Sequence, residues 1–157
     1  MTTYQWLLML HVTAAFLFVG GSVAAGILNT LAIRSERPSE TAYLLKSVRL
    51  TLPFIGLGSI AALLLGIWLW HEAGYGIGAW WIWASLVLWV IANALGGRGG
   101  RHQEKTRELA EDLAAKGDAS TDELKALLRD PQGLALSYLA GLATLLILIL
   151  MIWKPGA

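Results

Sequence analysis

Residues 133–153 read GLALSYLAGLATLLILILMIW, without one Asp, Glu, Lys or Arg. A helix rising about 1.5 Å per residue needs roughly twenty apolar residues to cross about 30 Å of hydrocarbon, so this stretch reads as a transmembrane helix. Three more runs are equally free of charged residues: Tyr4 to Ile33, Thr51 to Trp70 and Ala79 to Leu95. None alternates apolar with polar residues, which excludes the strands of a membrane barrel. The expectation is therefore an all-α protein, a bundle of four transmembrane helices at about 4–33, 51–70, 79–95 and 133–153, in a single membrane domain covering 1–157.

Composition agrees, with 56% apolar and 15% charged residues. The net charge of +1 leaves no loop strongly basic, which argues against nucleic acid as a partner. With no cysteine, disulfides, thiolate metal sites and a cysteine nucleophile are excluded. No Lys or Arg precedes Arg34, so the first run lacks the basic start of a cleaved signal peptide and is expected to be retained.

Eleven of the twelve basic residues fall in the first and third loops, and none falls in the second, His71 to Gly78. The positive-inside rule counts Lys and Arg rather than net charge and makes those two loops cytoplasmic, with both termini outside. Trp6, Trp68, Trp70, Trp80, Trp81, Trp83 and Trp153 all fall at helix ends on the outer side, as an interfacial belt would; Trp89 alone does not. Within the loop 96–132, Ser120 and Glu123 form a capping-box pattern before Leu124, Leu127 and Leu128, which predicts a short helix ending near Asp130-Pro131. Glu104 to Lys116 reads as a charged helix with Leu109 and Leu113 on one side, at the membrane surface or extending the third span. Gly96-Gly97-Arg98-Gly99-Gly100 reads as a flexible hinge.

Ile27-Leu28-Asn29-Thr30-Leu31 before Arg34 and Arg37 is echoed 64 residues later by Ile91-Ala92-Asn93-Ala94-Leu95 before Arg98 and Arg101. A duplicated helix pair in parallel orientation would produce this, and chance matches among common membrane residues compete with it. Small residues recur four apart, as Gly20 with Ala24, Gly21 with Ala25, Ser22 with Gly26, Gly58 with Ala62, Ala62 with Gly66, and Ser137 with Gly141. Such pairs let membrane helices approach closely, within a chain or between copies in a homo-oligomer.

His11 is the one ionisable side chain expected inside the membrane, about 7 Å below Trp6. It is the candidate ligand for a metal or haem, or a proton carrier; the competing reading is a neutral imidazole bonded to a neighbouring helix. His71, at the outer end of the second span, is the candidate second cofactor contact. His11, Ser22 and Asn29 fall on one face of the first helix, and with Asn93 form a polar packing stripe. His102 lies beyond the inner end of the third span. No phosphate loop, metalloprotease helix or nucleophile elbow is present, and no catalytic residue can be named.

Leu10-His11 followed by Gly20-Gly21 resembles the first helix of a group of small bacterial membrane proteins. The group includes predicted integral membrane proteins of unknown function, the membrane domain of copper-resistance protein D, and the haem-binding membrane protoporphyrinogen oxidase. The ending Met151-Ile152-Trp153-Lys154-Pro155 is most similar to the unknown-function family. The resemblance implies a bacterial inner-membrane location and, from its haem-binding members, a cofactor role for His11. A non-enzymatic transport, assembly or structural component without cofactor is the other reading.

Overall fold

Thr2 opens the first helix by accepting a hydrogen bond from Gln5 N at its hydroxyl, while the Gln5 side-chain oxygen accepts one from Thr2 N. In the computed structural model, which describes residues 2–156, α1 then runs from Thr3 to Arg34. At 32 residues it is about 48 Å long, more than one hydrocarbon thickness, so it tilts or emerges from the bilayer. A short helix, α2 (Pro38–Val48), leads almost directly into α3 (Leu52–Glu72). α4 (Trp80–Ala115) is the longest; α5 (Asp122–Leu128) is a brief turn before α6 (Pro131–Trp153). There is no strand among the described residues, and four helical segments are long and apolar enough to cross a membrane.

Within the membrane, α1 lies along α3 and α4 lies along α6. The faces turned away from these contacts carry Phe16, Leu57, Val87 and Leu145, all exposed in the isolated chain and therefore in contact with lipid. The α1–α3 seam is built on small residues of both helices. A Cβ on Gly58 would stand 2.6 Å from Phe18 N and 2.9 Å from Ala14 O, so the two backbones meet directly there. One on Gly21 would stand 2.9 Å from Ile55 Cγ1. Gly20, Gly26 and Gly141, by contrast, have nothing within 4 Å of that position. The pairs Gly20–Ala24, Ser22–Gly26 and Ser137–Gly141 therefore do not build close glycine contacts within this chain.

The glycine run 96–100 is not a hinge. α4 continues through it without interruption to Ala115. Four glycines each cost a helix roughly 0.5–1 kcal/mol relative to alanine, so other contacts must hold the turn. Gly99 is buried at van der Waals distance from Ser137 and Leu136 of α6. Beyond it, Arg107 bridges Glu104 and Glu111, three and four residues away on the same helix.

Outside the spans, α2, the far half of α4 and α5 form a small cap. Ala42, Ala110 and Leu124 are its enclosed core, with Leu109, Leu113 and Leu128 packed around them. Leu124 is 1% exposed. The cap of α5 is Thr121, whose hydroxyl accepts from Leu124 N, rather than Ser120 one residue earlier. α2 has no counterpart among the sequence expectations; it begins with Pro38 at its first turn and buries Thr41, Ala42, Leu45 and Val48. Two polar ties secure it. Arg49 reaches Glu104 at 2.7 Å, and Asp118 accepts from both Ser39 N and Ser39 Oγ at 2.7 Å. Asp118 thus caps α2 from a distance, held there by a left-handed turn at Gly117 and Asp118. These Ser39 bonds, side chain first, hold the Asp118 carboxyl below its ordinary range. The hydrogen bond from Arg107 does the same for Glu104, and bonds to Glu104 and Glu111 raise the Arg107 guanidinium in return.

Candidate functional site around His11

α1 brings His11 against α3 where that helix has no side-chain bulk. The imidazole Nδ1 lies 2.9 Å from Ala62 O. A carbonyl can only accept, so Nδ1 carries the proton and Nε2 keeps its lone pair. A Cβ on Gly66 would sit 3.0 Å from His11 Cε1 and 3.3 Å from Nδ1. Gly66 is therefore the notch that lets the ring reach the carbonyl one turn earlier. The Ala62–Gly66 pair, which as a sequence pattern suggests only close helix packing, acts as a socket for this ring. His11 is half-buried, and Nε2 has no hydrogen-bond partner among the described residues.

The remaining candidates separate. His71 is exposed in the last turn of α3, five residues or about 7.5 Å along the axis beyond Gly66. Ser22 is half-buried and bonds back to Phe18 O in its own helix. Asn29 lines a small cavity of about 20 Å³ near the cap together with His102 and Ser137. Asn93 joins α4 to α3: Ser59 Oγ donates to Asn93 Oδ1 at 3.2 Å, and Trp89 Nε1 donates to Ser59 Oγ at 2.9 Å. Ser59 is 1% exposed. This Trp89–Ser59–Asn93 cluster is a polar link between the α1–α3 and α4–α6 pairs. Neither Ser59 nor Trp89 was a sequence candidate, yet Trp89 was the single tryptophan outside the interfacial belt, which is the signal that it has a partner inside.

At the end of the bundle away from the cap, Lys154 ends α6 in a left-handed conformation and its Nζ lies 3.4 Å from Tyr75 Oη and 5.6 Å from the Tyr75 ring centre. The lysine of the Met-x-x-Lys-Pro ending thus closes α6 onto the α3–α4 loop. Trp81 meets Tyr75 edge to face at 5.5 Å, and Trp70 meets Trp83 likewise at 5.6 Å. Trp81 differs from the exposed belt tryptophans in being 4% exposed. Its Nε1 is the one enclosed side-chain polar atom without a hydrogen-bond partner among the described residues.

The donor set decides what could bind at His11. No group of three or more His, Cys, Asp or Glu residues that could hold a metal ion occurs among the described residues, so a multidentate metal ion does not fit. A metal carried in a macrocycle needs only one axial nitrogen from the chain, and a neutral imidazole with Nδ1–H held by a backbone carbonyl is the arrangement a ligating histidine requires.

No curated protein and no solved structure matches this chain. A family model does, over residues 5–155, and the chain belongs to that family, described as predicted integral membrane protein (DUF2269).

Proposed function

We propose that this protein is a membrane-embedded binding protein of the bacterial inner membrane whose outer-half site would hold haem or a similar hydrophobic metal-bearing cofactor through His11 Nε2. The observation that carries this reading is the Nδ1 contact with Ala62 O, which fixes the tautomer and orients the ring from the facing helix. A bound haem would supply one-electron or oxygen chemistry. The chain's own part is to keep the imidazole neutral and in place: Ala62 holds the proton on Nδ1, and Gly66 sets the ring's depth. His71 is the second contact in this reading only if the cofactor extends toward the outer surface. Homo-oligomerisation through small residues with open Cβ positions, such as Gly20, belongs to the same proposal.

The test is the visible spectrum of protein purified from haem-supplemented cells. Wild type should show a Soret band and one haem per chain, and His11→Ala should lose both while still inserting into the membrane. A second reading, a transport, assembly or structural component without cofactor, is favoured by the same hydrogen bond, since His11 is already a satisfied interhelical contact. Colourless wild type, with His11→Ala altered only by about 0.6–2 kcal/mol in stability, would establish it in place of the first.

The same proposal places α2 and α5 in the cytoplasm and both termini outside, because the basic residues gather at the cap end. A C-terminal alkaline phosphatase fusion should be active, and a C-terminal green fluorescent protein fusion dark; the opposite pair of results reverses the topology. The Asn29 and Asn93 echo supports a duplication, in which α1–α3 would superpose on α4–α6 by rotation about an axis near the membrane normal. A better match obtained by inverting one pair would remove that part of the reading.

A further inference from the structure

Arg98, Arg101 and Lys105 occupy one face of α4, spaced three and then four residues apart, just past the apolar segment that ends at Leu95. They line an open groove of about 320 Å³ with Gln132, at the start of α6. All three are exposed, and none forms an ion pair among the described residues, although the same helix carries four carboxylates. Glu104 is taken by Arg49 and Arg107, Glu111 by Arg107, and Asp112 by Lys116. Glu108, a turn further from the membrane, neither lines the groove nor pairs with Lys105.

Asp130 is the one carboxylate at the groove, and it is already engaged. Its Oδ2 accepts from Gly133 N at 2.8 Å as the cap of α6 and lies 3.7 Å from His102 Nε2. Arg98, Arg101 and Lys105 against Asp130 are three cations against one anion. The positive end of the α6 dipole points into the same space. Two guanidinium forks and one ammonium are the donor set that phosphate oxygens take up with paired, charge-assisted hydrogen bonds.

We infer that this groove binds a phosphate-bearing anion, and that its ligand is the headgroup of an anionic phospholipid in the leaflet on the cap side. Depth argues for the lipid. Arg98 is three residues, about 4.5 Å, past the last residue of the apolar run, and Lys105 about 15 Å past it, which spans the headgroup layer. Leu136 lies on the membrane side of the groove, where an acyl chain would descend along α6. Basic pockets between helices at this level are suited to anionic headgroups.

The test is native mass spectrometry of the full chain released from detergent containing equal amounts of phosphatidylglycerol and phosphatidylcholine. Wild type should retain one phosphatidylglycerol in clear preference, and rising salt should reduce that preference. Removing each cation should weaken retention about five-fold, the scale of about 1 kcal/mol per basic residue at an anionic surface. The triple variant Arg98→Gln, Arg101→Gln, Lys105→Gln should therefore lose retention by roughly 100-fold, while Arg129→Gln, outside the groove, should match wild type. Millimolar inorganic phosphate separates the sources: retention that survives it supports the lipid, and loss supports a free-phosphate ligand at the same site. Equal retention of the two lipids by wild type would overturn the inference without any variant, and so would a folded triple variant that still prefers phosphatidylglycerol.

Discussion

Gly58→Val should separate α1 from α3 and be among the most damaging single substitutions in the membrane part of this protein. The Cβ it adds would fall 2.6 Å from Phe18 N, 2.9 Å from Ala14 O and 3.1 Å from Phe18 Cα. All three are backbone atoms of α1, so no rotamer change can make room, and the helices must move apart. Overpacking of this kind costs about 1–3 kcal/mol, and more where the obstacle is backbone. The displaced seam also carries the His11 contact with Ala62, so the loss should extend to whatever His11 does. Gly20→Val is the matched control, because nothing lies within 4 Å of its Cβ position. A change facing open space should stay within about 0.5 kcal/mol. Unfolding in mixed micelles with rising dodecyl sulfate would read both; equal losses at Gly58 and Gly20 would mean the α1–α3 seam is not where the structure places it.

The contrast between these glycines marks how far the sequence could be read. Spacing alone grouped Gly20 with Gly58, since small residues four apart look the same whether or not a helix lies across from them. The four apolar runs were legible because a bilayer's thickness imposes a length on them. α2 was not, because eleven residues with several charges resemble a loop, and its buried face at Thr41, Ala42, Leu45 and Val48 acquires meaning only when α4 extends past the membrane to meet it. That extension was one of two readings open for Glu104 to Lys116, and the glycine run, whose local preference for a break yields to packing on α6 and to the Arg107 ion pairs, kept the sequence from deciding between them.

The site divides in the same way. His11 stood out as a lone ionisable group in an apolar segment, but its partner is a backbone carbonyl, which every residue possesses and no sequence pattern announces. The basic groove was obscured by arithmetic, since the loop that contains it also holds eight acidic residues. Net charge averages over side chains that the structure treats differently: Glu104, Glu111 and Asp112 are held in ion pairs, whereas Arg98, Arg101 and Lys105 beside α6 have none among the described residues.

Leu124→Asp should release the cap and leave the four spans in place. Leu124 is 1% exposed and joins Ala42 of α2 to Ala110 of α4, so deleting its side chain alone would cost about 2–5 kcal/mol, and a carboxylate there adds an unpaired charge. The measurable consequence is access. Trypsin should cut after Lys116, Lys125 and Arg129 at least about 30-fold faster, the population change that 2 kcal/mol produces. The same docking has a second handle in Asp118, whose carboxylate caps α2 through Ser39. Its pKa in the folded chain lies below the ordinary 3.8, so its contribution is complete above that value and fades as pH falls through the lower folded value. Amide exchange in α2, corrected for the intrinsic pH effect, should therefore accelerate in acid below about pH 4 in wild type. In Asp118→Asn, which accepts a hydrogen bond at any pH without the charge, that step should be absent. Trypsin rates unchanged by Leu124→Asp, together with an α2 exchange profile identical in wild type and Asp118→Asn, would show that α2 and α5 are not docked on α4 as a single cap.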